Sequence, residues 1–291
     1  MAGSGSIRIG IAGWNFPEWR GEFYPKGLPQ KQELGYASRA LRSIEINSTF
    51  YSHQKPASFA AWAAETPGDF RFSIKGHQLV THLKRLKEVE VPLANFFASG
   101  VLALGDRLGP FVWQLPPNLG FDAARMETFF ALLPQTPDAL VALAGKHDER
   151  VKGEPFLETA GVGPIRHAVE VRHKGFAEPA FLALLRRYNI ALVTADTAEW
   201  PGMDVTADFA YLRLQGAPGE DHYSEADLDL WAARLAALAD GSALPGGRFV
   251  DAAAGDGKAR DVFAYFVSTD KVHAPRNAMA VMRRLGLTPP V

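Results

Sequence analysis

The chain has 291 residues, 47% of them hydrophobic and 22% charged, with a formal net charge of −1. That composition belongs to a folded globular protein with room for one large domain, and it supplies no global basic field to attract nucleic acid. There is no cysteine, which excludes disulfides, thiolate metal sites and cysteine nucleophiles.

Residues 1–6 lack the basic and apolar regions of a signal peptide and read as a flexible tail, so the domain is expected to span 7–291. No apolar run approaches the length of a membrane span. With the missing cysteines, these features fit a soluble cytoplasmic protein. There is no internal repeat at a fixed period.

Eight strand-like runs follow in chain order: 7–13, 43–49, 70–75, 111–115, 167–172, 191–196, 209–215 and 261–267. Between most of them lies a helical pattern of 3.6-residue period. A helix over 56–65 opens on Pro56, Asp122 caps one over 123–133 and one follows over 178–188. Ser224, with Asp227 three residues on, caps 225–239, and 275–285 closes the chain. Alternating strands and helices imply parallel pairing, and eight strands imply a closed TIM (β/α)8 barrel. The stretch 197–208 holds Pro201 and Gly202 and little helical pattern, so the barrel is expected to be irregular around strands six and seven. An open doubly wound sheet is the rival, but no Gly-x-Gly-x-x-Gly follows the first strand. Segments 138–164 and 241–260 read as insertions.

Five strands carry polar residues on one face. Strand side chains alternate, so Glu45, Asn47 and Thr49 oppose Ile44 and Ile46, and Arg71, Ser73 and Lys75 oppose Phe72 and Ile74. Glu170 and Arg172 oppose Val169 and Val171; Thr194 and Asp196 oppose Val193 and Ala195; Tyr211, Arg213 and Gln215 oppose Leu212 and Leu214. In a barrel, the inward residues at strand C-termini open onto the ligand face. That set is Trp14, Glu45, Asn47, Thr49, Lys75, Glu170, Arg172, Asp196, Arg213 and Gln215. A charged lining is costly unless paired, so it marks either a site or a self-neutralising structural network.

Within the set, Arg172 and Arg213 suit bidentate capture of a carboxylate or phosphate. Lys75 is a candidate nucleophile or an ion-pair partner. Glu45, Glu170 and Asp196 are candidates for proton transfer. After strand three, His82 or His77 is a candidate general base, against the plain alternative of a loop histidine bonded to backbone. His173 is out of phase with the inward set. Gln114 ends strand four, where Pro116 and Pro117 stop the ladder. The aromatic-dense loop 14–25 either stacks on a ligand or packs a small core of its own. The inward set is rich in arginine and poor in histidine, so no metal and no cofactor is expected.

The segments Gly13-Trp14, Trp19-Arg20-Gly21, Phe23-Tyr24-Pro25, Glu45-Ile46-Asn47-Ser48-Thr49-Phe50-Tyr51 and Gln114-Leu115-Pro116-Pro117 occur in that order, Lys75 and Thr81-His82 lying between the last two. Glu170-Val171-Arg172-His173, Ala195-Asp196, Tyr211-Leu212-Arg213 and Asn277-Ala278 come after them. Together they resemble the YecE-like proteins, the domain of unknown function 72 family (DUF 72). The resemblance implies a TIM barrel and no established reaction. Two departures stand out. The family's last strand usually ends Tyr-Phe-Asn-Asn-Asp, whereas here Tyr265-Phe266-Val267-Ser268-Thr269 stands. The link 138–164 is also longer than usual.

These readings lead to an expected metal-independent enzyme, a hydrolase, lyase or isomerase, acting on a small polar, anionic substrate. The alternative is a non-catalytic protein binding a metabolite or nucleic-acid fragment in the same pocket. The charge balance and sparse histidines speak against a phosphodiesterase on nucleic acid. No membrane partner is expected, and the sequence fixes no oligomeric state.

Overall fold

A computed structural model describes residues 5–196, 202–216, 223–251, 255–267 and 272–290. Eight parallel strands close into a barrel in sequence order: β1 (Ile7–Ala12), β2 (Ser43–Ile46), β3 (Arg71–Lys75), β4 (Leu108–Gln114), β5 (His167–Glu170), β6 (Ala191–Ala195), β7 (Phe209–Leu214) and β8 (Asp261–Phe266). Closure is made by β1 and β8, paired from Ile7↔Val262 to Ile11↔Phe266.

The helices outside the barrel are α1 (Glu33–Ala40), α2 (Ser48–Tyr51), α3 (Pro56–Glu65), α4 (Glu90–Ala98), α5 (Ala123–Leu132), α6 (Pro137–Ala144), α7 (Pro179–Arg187), α8 (Glu225–Asp240) and α9 (His273–Arg284). Their starts follow the local chemistry. Asp122 accepts from the Arg125 N–H, and Ser224 and Asp227 form a reciprocal capping box. Proline occupies the first turn of α3, α6 and α7. No helix among the described residues is long and apolar enough to cross a membrane.

Apolar side chains form two layers. Ile44, Ile46, Phe72, Ile74, Val169, Leu212 and Leu214 pack outward among the helices. Val112, Ala168, Val193, Phe209, Tyr211, Phe263 and Tyr265 fill the lumen. The lumen is polar at its waist, where the Tyr265 hydroxyl lies 2.7 Å from Ser43 Oγ and 2.6 Å from Ser73 Oγ. Outside β4 and β5, Trp113 Nε1 donates to buried His167 Nδ1 at 3.1 Å, and His167 Nε2 lies 2.7 Å from the Pro134 carbonyl.

Several expectations shift in detail. Helix α6 occupies the start of the expected 138–164 insertion. Of 197–208, residues 202–208 carry no helix and the rest lies outside the described residues. Of the two positions where the family's asparagines are lost, Ser268 also lies outside the described residues, while Val267 donates its N–H to the Leu214 carbonyl at 2.7 Å. In the expected tail, Gly5 donates to the Ala239 carbonyl and Ser6 bonds Asp261.

Candidate functional site

Arg213, near the end of β7, organises the C-terminal mouth. Its Nε and Nη2 each donate to Glu45 of β2 at 3.1 Å, a bidentate fork, and Nη1 donates to Glu170 of β5 at 2.5 Å. Tyr211 adds a hydroxyl donor to Glu45 at 2.7 Å. Gln114 donates to both Glu170 oxygens at 2.9 Å, and Arg172 Nε donates to Glu170 Oε1 at 2.9 Å. Glu45, Glu170 and Arg213 are all essentially inaccessible to solvent, whereas the Arg172 side chain is 41% exposed.

Burial alone would raise the Glu170 carboxyl, but Arg213 and Arg172 outweigh it and hold the group at about 2. The same two carboxylates push the Arg213 guanidinium above its ordinary value despite its burial. Burial, with Glu45 beside it, drives the Tyr211 phenol well above 10.

Lys75 sits above this network and is not neutralised by it. Among the described residues, no carboxylate reaches ion-pair distance of its ammonium. The ammonium instead rests 4.4 Å from the centroid of the Phe50 ring. Burial first, then repulsion from Arg213, lowers the Lys75 ammonium to about 8. His82 closes this corner. Its ring meets Phe50 edge-on at 5.0 Å, and its Nδ1 lies 2.9 Å from Thr81 Oγ1. Burial, Lys75 and Arg172 keep its imidazole below its ordinary value. A π-helical turn, Leu79–Leu83, carries His82, and Arg85, Leu86 and Glu88 just beyond it adopt positive φ. Side chains other than glycine rarely take that conformation, so this loop is held under strain beside the mouth.

The expected residues therefore divide. Glu45, Lys75, Gln114, Glu170, Arg172, Arg213 and His82 converge at the mouth. Thr49 is not in a strand, because β2 stops at Ile46 and α2 begins at Ser48. Its hydroxyl donates to the Lys75 carbonyl at 2.7 Å and so fixes the end of β3. Asp196 falls outside the inward set, since Val193 faces the lumen and the phase of β6 is opposite to the expected one. Its carboxylate accepts from the main-chain N–H of Gln215 at 2.7 Å, from that of Gly216 at 3.1 Å, and from the Tyr223 hydroxyl. Gln215 enters the network through its main chain.

Trp14 also turns away from the lumen. It packs edge-on against Trp62 of α3 at 5.1 Å and lies 6.2 Å from outward-facing Phe72. With Asn47, Phe16 and Gln54 it lines a groove of about 770 Å³ beside the barrel, into which no charged mouth residue projects. Among the described residues, buried Asn47 Oδ1 finds no hydrogen-bond partner there. The remaining aromatics of loop 14–25 settle as a core of their own, with Trp19, Phe23 and Tyr24 buried and in mutual ring contact. His77 and His173 accept from backbone N–H groups at 3.1 and 3.0 Å. No three His, Asp or Glu side chains gather as metal ligands among the described residues.

Sequence reasoning left out Phe50 and Tyr211 as site residues. Tyr211 shares the phase of Arg213 and was legible on that ground. Phe50 reaches Lys75 only because the chain turns into α2.

Fold and mouth together define a (β/α)8 barrel with a buried ion-pair network at the C-terminal ends of its strands. The chain belongs to the family described as "Protein of unknown function DUF72", whose pattern matches residues 8–290. It is similar to a DUF72 family protein of Thermotoga maritima MSB8, with a TM-score of 0.69 at 22% identity over 97% of this chain and 99% of that one. A DUF72 family protein of Enterococcus faecalis V583 gives a TM-score of 0.65 at 15% identity, covering 97% and 98%. At those identities the likeness carries the fold alone. Over 119 residues the chain is 28% identical to the UPF0759 protein YunF of Bacillus subtilis (strain 168), covering 38% of this chain and 40% of that relative's length.

Proposed function

We propose that the protein is an enzyme acting on a small anionic substrate at the C-terminal mouth, with Lys75 as the group that moves the proton or attacks a carbonyl. The supporting observation is that Lys75 is buried and, among the described residues, lacks a carboxylate at ion-pair distance, while Glu45 and Glu170 are occupied by arginines. Glu45 and Glu170 then serve as fixed counter-charges. A carboxylate held at about 2 by two arginines is a poor proton carrier near neutrality, whereas an ammonium near 8 exchanges readily. Arg172, exposed at the rim, and His82 are assigned the anionic group of the substrate. Amine or base chemistry beside a bound anion favours a lyase or an isomerase over a hydrolase.

A second reading, a non-catalytic binding protein, is favoured by one observation: every Glu170 and Glu45 oxygen already accepts a hydrogen bond. A melting screen against small monocarboxylates tests the shared part. Such an anion should raise the wild-type midpoint, and Arg172→Met should abolish the rise. The absence of any shift at millimolar anion would sink both readings. Borohydride trapping with small keto acids and aldehydes then separates them. A covalent adduct on Lys75 favours the enzyme; an anion that binds while Lys75 reacts no faster than surface lysines favours the binder.

A further inference from the structure

The opposite end of the barrel carries a second cluster of charge that the mouth does not use. A cavity of about 260 Å³ opens at the strand N-termini, lined by Arg8 of β1, Arg71 of β3, Arg166, Asp106 and Asp261. Its two carboxylates are already committed. Asp261 accepts from Arg166 Nη1 at 2.7 Å, and its other oxygen accepts from the Ser6 hydroxyl at 2.7 Å and the Ser6 N–H at 3.1 Å. Asp106 pairs with Arg107 at 2.5 Å.

Arg8 and Arg71 are left with carbonyl partners only. Arg8 donates to the Asp69 carbonyl, and Arg71 donates to the carbonyls of Phe70 at 2.8 Å and Gly68 at 3.1 Å. Among the described residues neither guanidinium has a carboxylate at ion-pair distance. Among the described residues, Arg166 Nε is buried with no hydrogen-bond partner, the Asp208 carboxylate lying 4.0 Å away, beyond hydrogen-bond reach. A guanidinium keeps its proton in a protein, so two like charges facing one cavity cannot be relieved by titration. Burial, and then repulsion from Arg71 and Arg42, lowers Arg8 from its ordinary value. An anion between the forks relieves that repulsion and satisfies the spare N–H groups.

We infer that the N-terminal end of the barrel binds a small doubly charged oxyanion, phosphate or a compact phosphate monoester, between Arg8 and Arg71 with Arg166 Nε as a third donor. The cavity is large enough for a tetrahedral anion with a short organic tail and too small for a nucleotide. This site is independent of the mouth, and its test keeps the two apart.

Inorganic phosphate is titrated by calorimetry at constant ionic strength, set with sodium chloride, into wild type, Arg172→Met, Arg71→Met and Arg71→Lys. Phosphate binding should persist in Arg172→Met and weaken at least about tenfold in Arg71→Met, the loss of one charge-assisted contact. Arg71→Lys, which keeps the charge without the fork, should fall between them and confirms that the position folds. Titration with glycerol phosphate then decides between the free ion and the ester as the tighter ligand. No phosphate binding in Arg172→Met would overturn the proposal. So would undiminished binding in a folded Arg71→Met.

Discussion

At Lys75 the cost of burial and the prospect of function coincide. Its ammonium lies near 8 in the folded protein against 10.5 in an exposed lysine. The unfolded chain therefore binds more protons between those values, and stability rises with pH across that window. Below pH 8 the folded state carries the whole penalty. Lys75→Met keeps the packing on Phe50 and removes the charge, so it is expected to raise stability at pH 7, by up to about 3 kcal/mol. The excess should shrink as pH climbs from 8 to 10.5 in denaturant titrations. A less stable variant would mean that Lys75 has a partner that holds its charge. Arg213 behaves in the opposite way. The sequence reads it as half of an anion clamp, but its fork is filled by Glu45 and Glu170. Arg213→Met strands two buried carboxylates and should cost about 3–5 kcal/mol. Urea melts of the variant check this, and a cost under 1 kcal/mol would mean that the network relaxes.

At the scale of the element, alternation predicts the inward face wherever the two faces differ in polarity. In β2, β3, β5 and β7, charged residues oppose Ile, Phe, Val or Leu, and the phase is unmistakable. In β6 the run Ala-Leu-Val-Thr-Ala offers no such contrast. Its polar residues Thr194 and Asp196 suggest the wrong face, because small apolar side chains are what fit beside Tyr211 in the lumen. The end of β2 escapes for another reason. Asn47 looks like a strand residue, yet the backbone turns helical at it and begins α2. That turn decides that Thr49 braces the Lys75 carbonyl and that Asn47 lines the groove with Trp14. Only the path of the chain in three dimensions could reveal this. Asp196 has an element-level role, tying β6 to the turn after β7. Asp196→Ala should therefore speed amide hydrogen exchange at Gln215 and Gly216 by about tenfold or more while leaving the β2 and β5 amides unchanged. Unaltered exchange at both positions would deny Asp196 that role.

Across the whole molecule, the folded state is sensitive to mild acid through His167. Burial lowers its imidazole to about 4 in the folded protein, against 6.5 when exposed. Between pH 6.5 and 4 the unfolded chain binds the extra proton, so stability falls as pH falls through that range. The bonds from Trp113 and to Pro134 hold the ring as a neutral tautomer with its proton on Nε2. Glu170 adds a later loss: its folded value near 2 stabilises the protein above pH 4.5, and that contribution fades as pH falls from 4.5 towards 2. Stability measured from pH 7 downward should thus decline in two stages. His53, also lowered by burial to about 4, shares the first stage, so His167→Gln should reduce that stage and leave the second, and an unchanged first stage in that variant would place the acid-sensitive group elsewhere. Closure of the barrel and its eight strands are legible from hydrophobic pattern alone. The depth of the charges is not, since it depends on which strands become neighbours across the lumen.

Among the described residues, the mouth sets two carboxylates, Glu45 and Glu170, against three cations, Arg172, Arg213 and Lys75. An odd number of charges can be balanced in two ways: an incoming monoanion, or departure of the Lys75 proton. The two compete, so the arrival of an anion should return the proton to Lys75. At pH 8, where the amine is half neutral, each binding event then takes up a fraction of a hydrogen ion from solution. The apparent heat of binding should vary between phosphate-free buffers in proportion to their ionisation enthalpies. At pH 6 that dependence should vanish, because the lysine is already charged. The barrel would then register its ligand as a measurable draw on the buffer.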